Sequence, residues 1–371
     1  MKLTIEKLRV RDFLPTEHFV DIVGLHIDPL GNVAGYASKA NNGASLGFYW
    51  KSGETHATGL IYQGSPCIPK AMDDKGRVFL HSTGLPRHII FDPHNNNTYI
   101  PLPFTESQLY DLRGAGGDGW GVGWRIDNLR VKAVRIHTST VGQIESLLPA
   151  PNDGSSAALC VNMNGVAAGS SNYLLSGGFV GEEMADRPGR AVIWVPGEPV
   201  ERIPEPHHHR WIPQIGRAIN NSNVVVGSTS PMPPSHSHNP CYIPERSTDL
   251  HCTHAFVSFE DLGKRWTMAL PNLPNDNSMT TITAFGINDR NKIVGTRAGV
   301  DCPGVPGPSL TLGILWEESR WGHWDTPSLL GDLLRTPETL GPARAINQSN
   351  QFVGDGNNTT DGPFAYRLTP I

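Results

Sequence analysis

An all-β chain folded as one seven-bladed β-propeller of four-stranded blades is what these 371 residues predict. Three observations predict it: a turn motif that recurs seven times, short strand-forming runs between its copies, and a last copy that is one strand short.

The turn motif is an apolar run ending in Asn or Asp, followed seven residues on by glycine. It reads Ile219-Asn220 to Gly227, Ile287-Asn288 to Gly295 and Ile346-Asn347 to Gly354. Val161-Asn162 to Gly169 and Ile27-Asp28 to Gly35 are close variants, and Met72-Asp73 to Leu80 and Ala115-Gly116 to Gly123 are worn ones. An Asn or Asp side chain folds back on its own backbone to start a turn, and Gly or Asn three residues later supplies the left-handed conformation that closes it. Gly31, Gly76, Gly165, Asn223, Asn291 and Asn350 hold that place.

Each motif joins a first run to a second. A loop of variable length follows, and then a third run, such as Phe48-Tyr49-Trp50, Val192-Ile193-Trp194 or Ile314-Leu315-Trp316. A fourth, such as Trp266 to Leu270, completes the unit. Short runs rich in Val, Ile and aromatics between turn residues read as strands. The blades fall at about 20–62, 68–103, 108–149, 156–203, 215–271, 282–331 and 343–371. After Tyr366 too little chain is left for a fourth strand, whereas Leu3 to Val10 alternates like one. The N-terminal segment is therefore expected to join the last blade as its outer strand and close the ring, which leaves no open sheet edge.

With the motifs in view, the units resemble the bacterial HAF-type repeat, named for a His-Ala-Phe triplet that occurs here as His254-Ala255-Phe256. The resemblance covers nearly all of the chain and implies a propeller, with no particular activity. Units two and three depart from it, with Phe79-Leu80 and Gly114-Ala115-Gly116 where the pattern has Val-Gly and Ala-Ile-Asn.

Composition narrows the function classes. A net charge of −5 gives no global basic field for nucleic acid. No apolar run approaches the ~20 residues of a membrane helix, and the first residues lack the apolar core of a leader. As written the chain reads as cytoplasmic, or as secreted if a leader has been removed.

In a propeller the long loops carry function. Those between second and third strands (170–190, 228–254, 296–311) and between blades (203–217, 269–283, 329–343) open on one face, so the site is expected there, over the channel. Three residues before each turn Asn or Asp stand Leu25, Lys70, Arg113, Leu159, Arg217, Phe285 and Arg344. Four of these seven are cations on strands expected to line the channel, which suits an anionic ligand such as a carboxylate. Structural ion pairs between blades are the competing explanation.

One place nearer the turn, small residues dominate and His26 is the exception: it is either a general base, a metal ligand or a packing histidine. Cys160 there reads as a small buried residue. Histidines are dense in two long-face loops, around His208, Arg210 and Trp211, and around His236, His238, Cys241 and Cys252. That density suits zinc at His236, His238 and Cys252, although the spacing matches no standard zinc signature. A Cys241–Cys252 disulfide or unpaired thiols are the alternatives, and Cys67 and Cys302 also fall on long-face loops. Tyr62, Tyr173 and Tyr242 lie at or near that face as acids, bases or anchors.

No nucleophile elbow, zinc-protease motif, phosphate loop or dinucleotide fingerprint is present. Two expectations follow. The first is an enzyme on an anionic small molecule or saccharide, with catalytic His26, His208 and Tyr242 and with Lys70, Arg113, Arg217, Arg344, Arg210 and Trp211 holding substrate. It would act by β-elimination, isomerisation or cyclisation. The second is a non-catalytic module binding a glycan or protein through its loops, with Trp120, Trp124, Trp211 and Trp321 as contacts.

Overall fold

Among the described residues, successive segments of the chain pair as four antiparallel strands, and the strand at the N-terminus supplies one strand of the last sheet. The computed structural model describes residues 1–13, 19–39, 45–105, 108–128, 130–138, 143–171, 189–205, 211–231, 253–274, 280–299, 311–335, 339–358 and 362–371. After β1 (Leu3–Arg9) and a single helical turn, α1 (Val10–Phe13), come β2 (Phe19–Ile27), β3 (Val33–Lys39), β4 (Leu46–Trp50) and β5 (Thr58–Tyr62). The second unit is β6 (Ser65–Met72), β7 (Val78–Ser82), β8 (His88–Asp92) and β9 (Thr98–Pro101). Pairing of Tyr62 with Ser65 and of Ile61 with Pro66 joins these two units into one eight-stranded sheet.

The third unit is β10 (Asp111–Ala115), β11 (Trp120–Asp127), β12 (Arg130–His137) and β13 (Ile144–Leu147). The fourth is β14 (Ser156–Val161), β15 (Ala167–Ser171), β16 (Arg190–Trp194) and β17 (Glu201–Arg202). The fifth is β18 (Trp211–Ile219), β19 (Val225–Pro231), β20 (Ala255–Asp261) and β21 (Lys264–Ala269). In the sixth, β22 (Thr280–Ile287), β23 (Ile293–Gly299) and β24 (Leu312–Trp316) lead through a small hairpin, β25 (Glu318–Arg320) and β26 (His323–Trp324), to a two-residue fourth strand, β27 (Ser328–Leu329). The last is β28 (Ala343–Ile346), β29 (Phe352–Asn358) and β30 (Gly362–Pro370), with β1 paired antiparallel to β30 from Leu3–Pro370 to Arg9–Phe364.

Six of the turns have the expected chemistry. Asn220 Oδ1 accepts from the amides of Ser222 and Val224 at 3.1 and 3.0 Å, while Asn223 holds φ +60°. Asn288, Asn347, Asn162, Asp28 and Asp73 close their turns in the same way. The third unit differs, using a short 3-10 turn over Gly117–Gly119.

The side-chain Nδ2 groups of the asparagines do something that aspartate cannot. Asn162 donates to the carbonyl of Asn220 (3.0 Å), Asn220 to that of Asn288 (3.1 Å), Asn288 to that of Asn347 (3.1 Å) and Asn347 to that of Asp28 (2.7 Å). All five residues are buried, so each bond replaces water on a group that would otherwise lie unsatisfied.

Apolar clusters fill the seams between consecutive sheets. One unites Val122 and Ala133 of the third unit with Ala167 and Trp194 of the fourth. Another unites Leu8, Val353 and Ala365 of the last with Ile22, Val33 and Phe48 of the first. Arg367, fully buried over the Trp50 ring, donates to Glu6 and to the carbonyl of Gly31, tying the last unit to the first turn. Arg135 does the same between the third and fourth units, with Glu145 and the carbonyl of Gly165. First strands also meet in series: β2 with β6, β6 with β10, and so on through β14, β18, β22 and β28, which meets β2 again. Among the described residues no helix is long and apolar enough to cross a membrane.

Candidate functional site

Every first strand carries a one-residue interruption at the same place, and β2 and β18 carry a second one nearer their start. Pairing skips Leu25 in β2, Lys70 in β6, Arg113 in β10, Leu159 in β14, Arg217 in β18, Phe285 in β22 and Arg344 in β28. These are the residues three places before the turn. A β-bulge leaves its extra residue out of the ladder and re-aims the side chain. All seven are exposed or partly exposed.

The bulge accounts for the glycine of the repeat. Opposite it, a Cβ on Gly35, Gly123, Gly169, Gly227, Gly295 or Gly354 would collide with the carbonyl oxygen of Val23, Asp111, Ala157, Ile215, Thr283 or Pro342 respectively. The second unit has Leu80 in this position, and nothing in the structure explains why it is tolerated.

The four cations fall into two groups. Lys70 Nζ lies 3.5 Å from Asp111 Oδ1 and Arg113 Nη2 lies 2.8 Å from Asp111 Oδ2, so one carboxylate serves two cations from neighbouring sheets. The Arg113 guanidinium also rests over the Trp124 ring at 5.0 Å. Arg217 and Arg344 both lie over the ring of Phe285, at 5.3 and 5.4 Å, and Arg344 Nε donates to Asp355 Oδ1 at 3.1 Å. Burial raises the Asp355 carboxyl against the opposing pull of Arg344. Ion pairs within and between neighbouring units are therefore present around these cations.

His26 follows the bulge of β2. Its ring is hydrogen-bonded to the backbone of Lys70, and burial lowers its pKa to about 4, so it is neutral near pH 7. Behind Lys70, His81 and His88 stack edge-on at 5.6 Å, with His88 Nε2 held by the Leu109 carbonyl at 2.8 Å. Burial lowers both imidazoles. Asp111, Asp355 and this histidine pair are site groups that the sequence reading missed. Asp111 stands only two residues before Arg113, so extending the alignment one pleat outward would have found it.

His208, Arg210, His236, His238, Cys241, Tyr242, Cys252, Cys302 and Tyr173 lie outside the described residues, as does the side chain of Trp211. Among the described residues no three His, Cys, Asp or Glu side chains are grouped to hold a metal. Cys67, expected on a loop, is instead buried within β6. Trp124 is buried, Trp120 packs on His137 at 4.6 Å, and Trp321 is exposed beside Phe259. Tyr62 packs on Tyr99 at 5.6 Å.

At the turn end of the first strands lies a cavity of about 120 Å³ to which all seven units contribute, among them Ile27, Asp74, Gly116, Asn162, Asn221, Asp289 and Gln348. Around it a second tier of bonds repeats the pattern of the buried asparagines. Asn221 Oδ1 accepts from Met163 N, Asp289 Oδ1 from Asn221 N and Gln348 Oε1 from Asp289 N.

No family model and no curated protein matches this sequence. Solved structures do resemble it. Virginiamycin B lyase from Staphylococcus aureus superposes over 100% of both chains with a TM-score of 0.51 at 8% identity. An oligogalacturonate lyase in complex with manganese gives 0.49 at 10% identity over 100% of this chain and 97% of its own. TolB from Acinetobacter baumannii gives 0.42 at 13%, over 89% of this chain and 68% of its own. At such identity the likeness speaks for the fold alone: the chain has an all-β, propeller-like fold of four-stranded antiparallel sheets.

Proposed function

We propose that the chain is a closed, seven-bladed propeller of HAF-type repeats that takes a carboxylate-bearing small molecule or saccharide over its channel and acts on it by proton transfer. Three features support the ring: the series of first-strand contacts that returns from β28 to β2, the apolar cluster shared by last and first sheets, and the cavity lined by all seven units.

One observation carries the functional reading: the bulges turn Lys70, Arg113, Arg217 and Arg344 out of the ladder at the same level. Cations so arranged focus positive potential, and a guanidinium grips a carboxylate through paired charge-assisted bonds. Neutralising a carboxylate makes the adjacent C–H more acidic, which suits β-elimination, isomerisation or cyclisation. Proton transfer is assigned to His208 and Tyr242. His26, with its pKa lowered to about 4, is too weak a base near neutral pH, and its bond to Lys70 suits it to holding that strand.

Isothermal titration with D-galacturonate tests the binding. At least one of Lys70→Gln and Arg344→Gln should weaken it about tenfold, the loss expected for one charged hydrogen bond. No uptake, or uptake indifferent to both substitutions, refutes the reading. Turnover of digalacturonate is followed by the ultraviolet absorbance of the unsaturated product that elimination leaves. Binding without turnover would instead identify a non-catalytic glycan-binding module.

A further inference from the structure

The distribution of the bulged residues says more about the ligand than their charge does. In sheet order they run Leu25, Lys70, Arg113, Leu159, Arg217, Phe285, Arg344. The cations fall in two arcs, one on the second and third sheets and one on the fifth to seventh, with Leu25 and Leu159 dividing them. In the first arc Lys70 and Arg113 share Asp111, whose Oδ1 has no hydrogen-bond partner. In the second, two guanidiniums lie over one aromatic ring, which holds like charges together around Phe285.

Resting on the channel reading above, we infer that the natural ligand carries two separated anionic groups, one for each arc, on a body whose C–H faces lie against Leu25, Leu159 and Phe285. A monoanion engages one arc and leaves the cations of the other without a ligand. A dianion of adequate length engages both, and its second charge binds intramolecularly once the first is seated. Two sources share this chemistry: a short uronate oligomer and an aliphatic α,ω-dicarboxylate. Leucine and phenylalanine accept either body, since both present apolar C–H surface.

The test is titration of the full chain with D-galacturonate, digalacturonate, and aliphatic mono- and dicarboxylates of increasing length. Digalacturonate or one of the longer dicarboxylates should bind at least about tenfold tighter than its monoanion, the gain expected from one further charge-assisted pair. Whichever series shows the gain identifies the ligand body. Arg113→Gln and Arg344→Gln, one in each arc, should each bring the dianion down to the affinity of the monoanion. Thermal melting checks that each variant folds, and Lys70→Gln and Arg217→Gln probe the same arcs if either does not. Dianion and monoanion binding within a factor of about two, the statistical advantage of two ends, would overturn the two-arc inference and leave the channel reading standing. So would sensitivity to substitutions in one arc only. If no carboxylate of either series binds, the channel reading falls, and this inference with it.

Discussion

Replacing Asn220 by aspartate isolates what the buried asparagines contribute between units. Aspartate keeps the oxygen that accepts from Ser222 and Val224, so the turn itself stays closed. It removes the Nδ2 donor to the carbonyl of Asn288 (3.1 Å) and to Asn291 Oδ1 (2.9 Å) and sets a carboxylate against those two oxygens. Two lost bonds at about 1 kcal/mol each, plus the cost of a buried anion facing acceptors, give a destabilisation of about 3 kcal/mol at pH 7. For a chain of this length that is a fall of about 4 °C in Tm. The penalty relaxes in acid. The new carboxyl has its pKa raised in the folded state, so the penalty is present above that pKa and fades as pH falls through it, where the protonated acid donates again. Thermal melts of wild type, Asn220→Asp and Asn220→Ala at pH 7 and pH 4.5 make the comparison. The aspartate variant should recover at the lower pH relative to the alanine variant. An Asn220→Asp protein as stable as wild type at pH 7 would refute a relay that holds the sheets together.

Two further outcomes follow from the same geometry. Gly169→Ala sets a methyl group on the Ala157 carbonyl oxygen and should cost ~3 kcal/mol or more, whereas Gly59→Ala, whose nearest atom is Leu46 Cδ2 at 3.5 Å, should be neutral or slightly stabilising; equal melting temperatures would refute the bulge as the reason for the glycine. His26 has a folded pKa of about 4 against an ordinary 6.5, so the unfolded chain takes up the proton first and stability falls as pH drops from about 6.5 to about 4, by up to about 3 kcal/mol. His26→Gln should flatten that part of the pH profile of unfolding, and an unchanged profile would show that His26 is not the group responsible.

The turns were legible because a turn is local: Asn220 and Asn223 lie three residues apart, and each residue type has one conformational reason to be there. The added strand was legible from arithmetic, since the chain after Tyr366 is short and Leu3 to Val10 alternates. The bulges were not, because one extra residue in a strand leaves no mark in its own alternation. Their only trace was on the neighbouring strand, in glycines such as Gly227 and Gly295 that read simply as part of a motif. Asp355 was missed for a related reason: its partner Arg344 is fixed by how β28 lies against β29, which spacing along the chain does not record. The choice of Asn over Asp within the turns looked interchangeable from sequence, since only the bond to the next unit distinguishes them.

The pairing of bulge with glycine also divides labour in a way that matters for how such a molecule changes over time. The backbone shape is set by a residue on the second strand, while the group displayed is chosen on the first, so the displayed group can be exchanged without disturbing what shapes it. Positions 25, 70, 113, 159, 217, 285 and 344 thus form a seven-letter word written on a constant page. Drift at these letters would diversify recognition among descendants of one scaffold. A library randomised only there should yield folded proteins of altered preference at far higher frequency than one randomised across the glycines opposite.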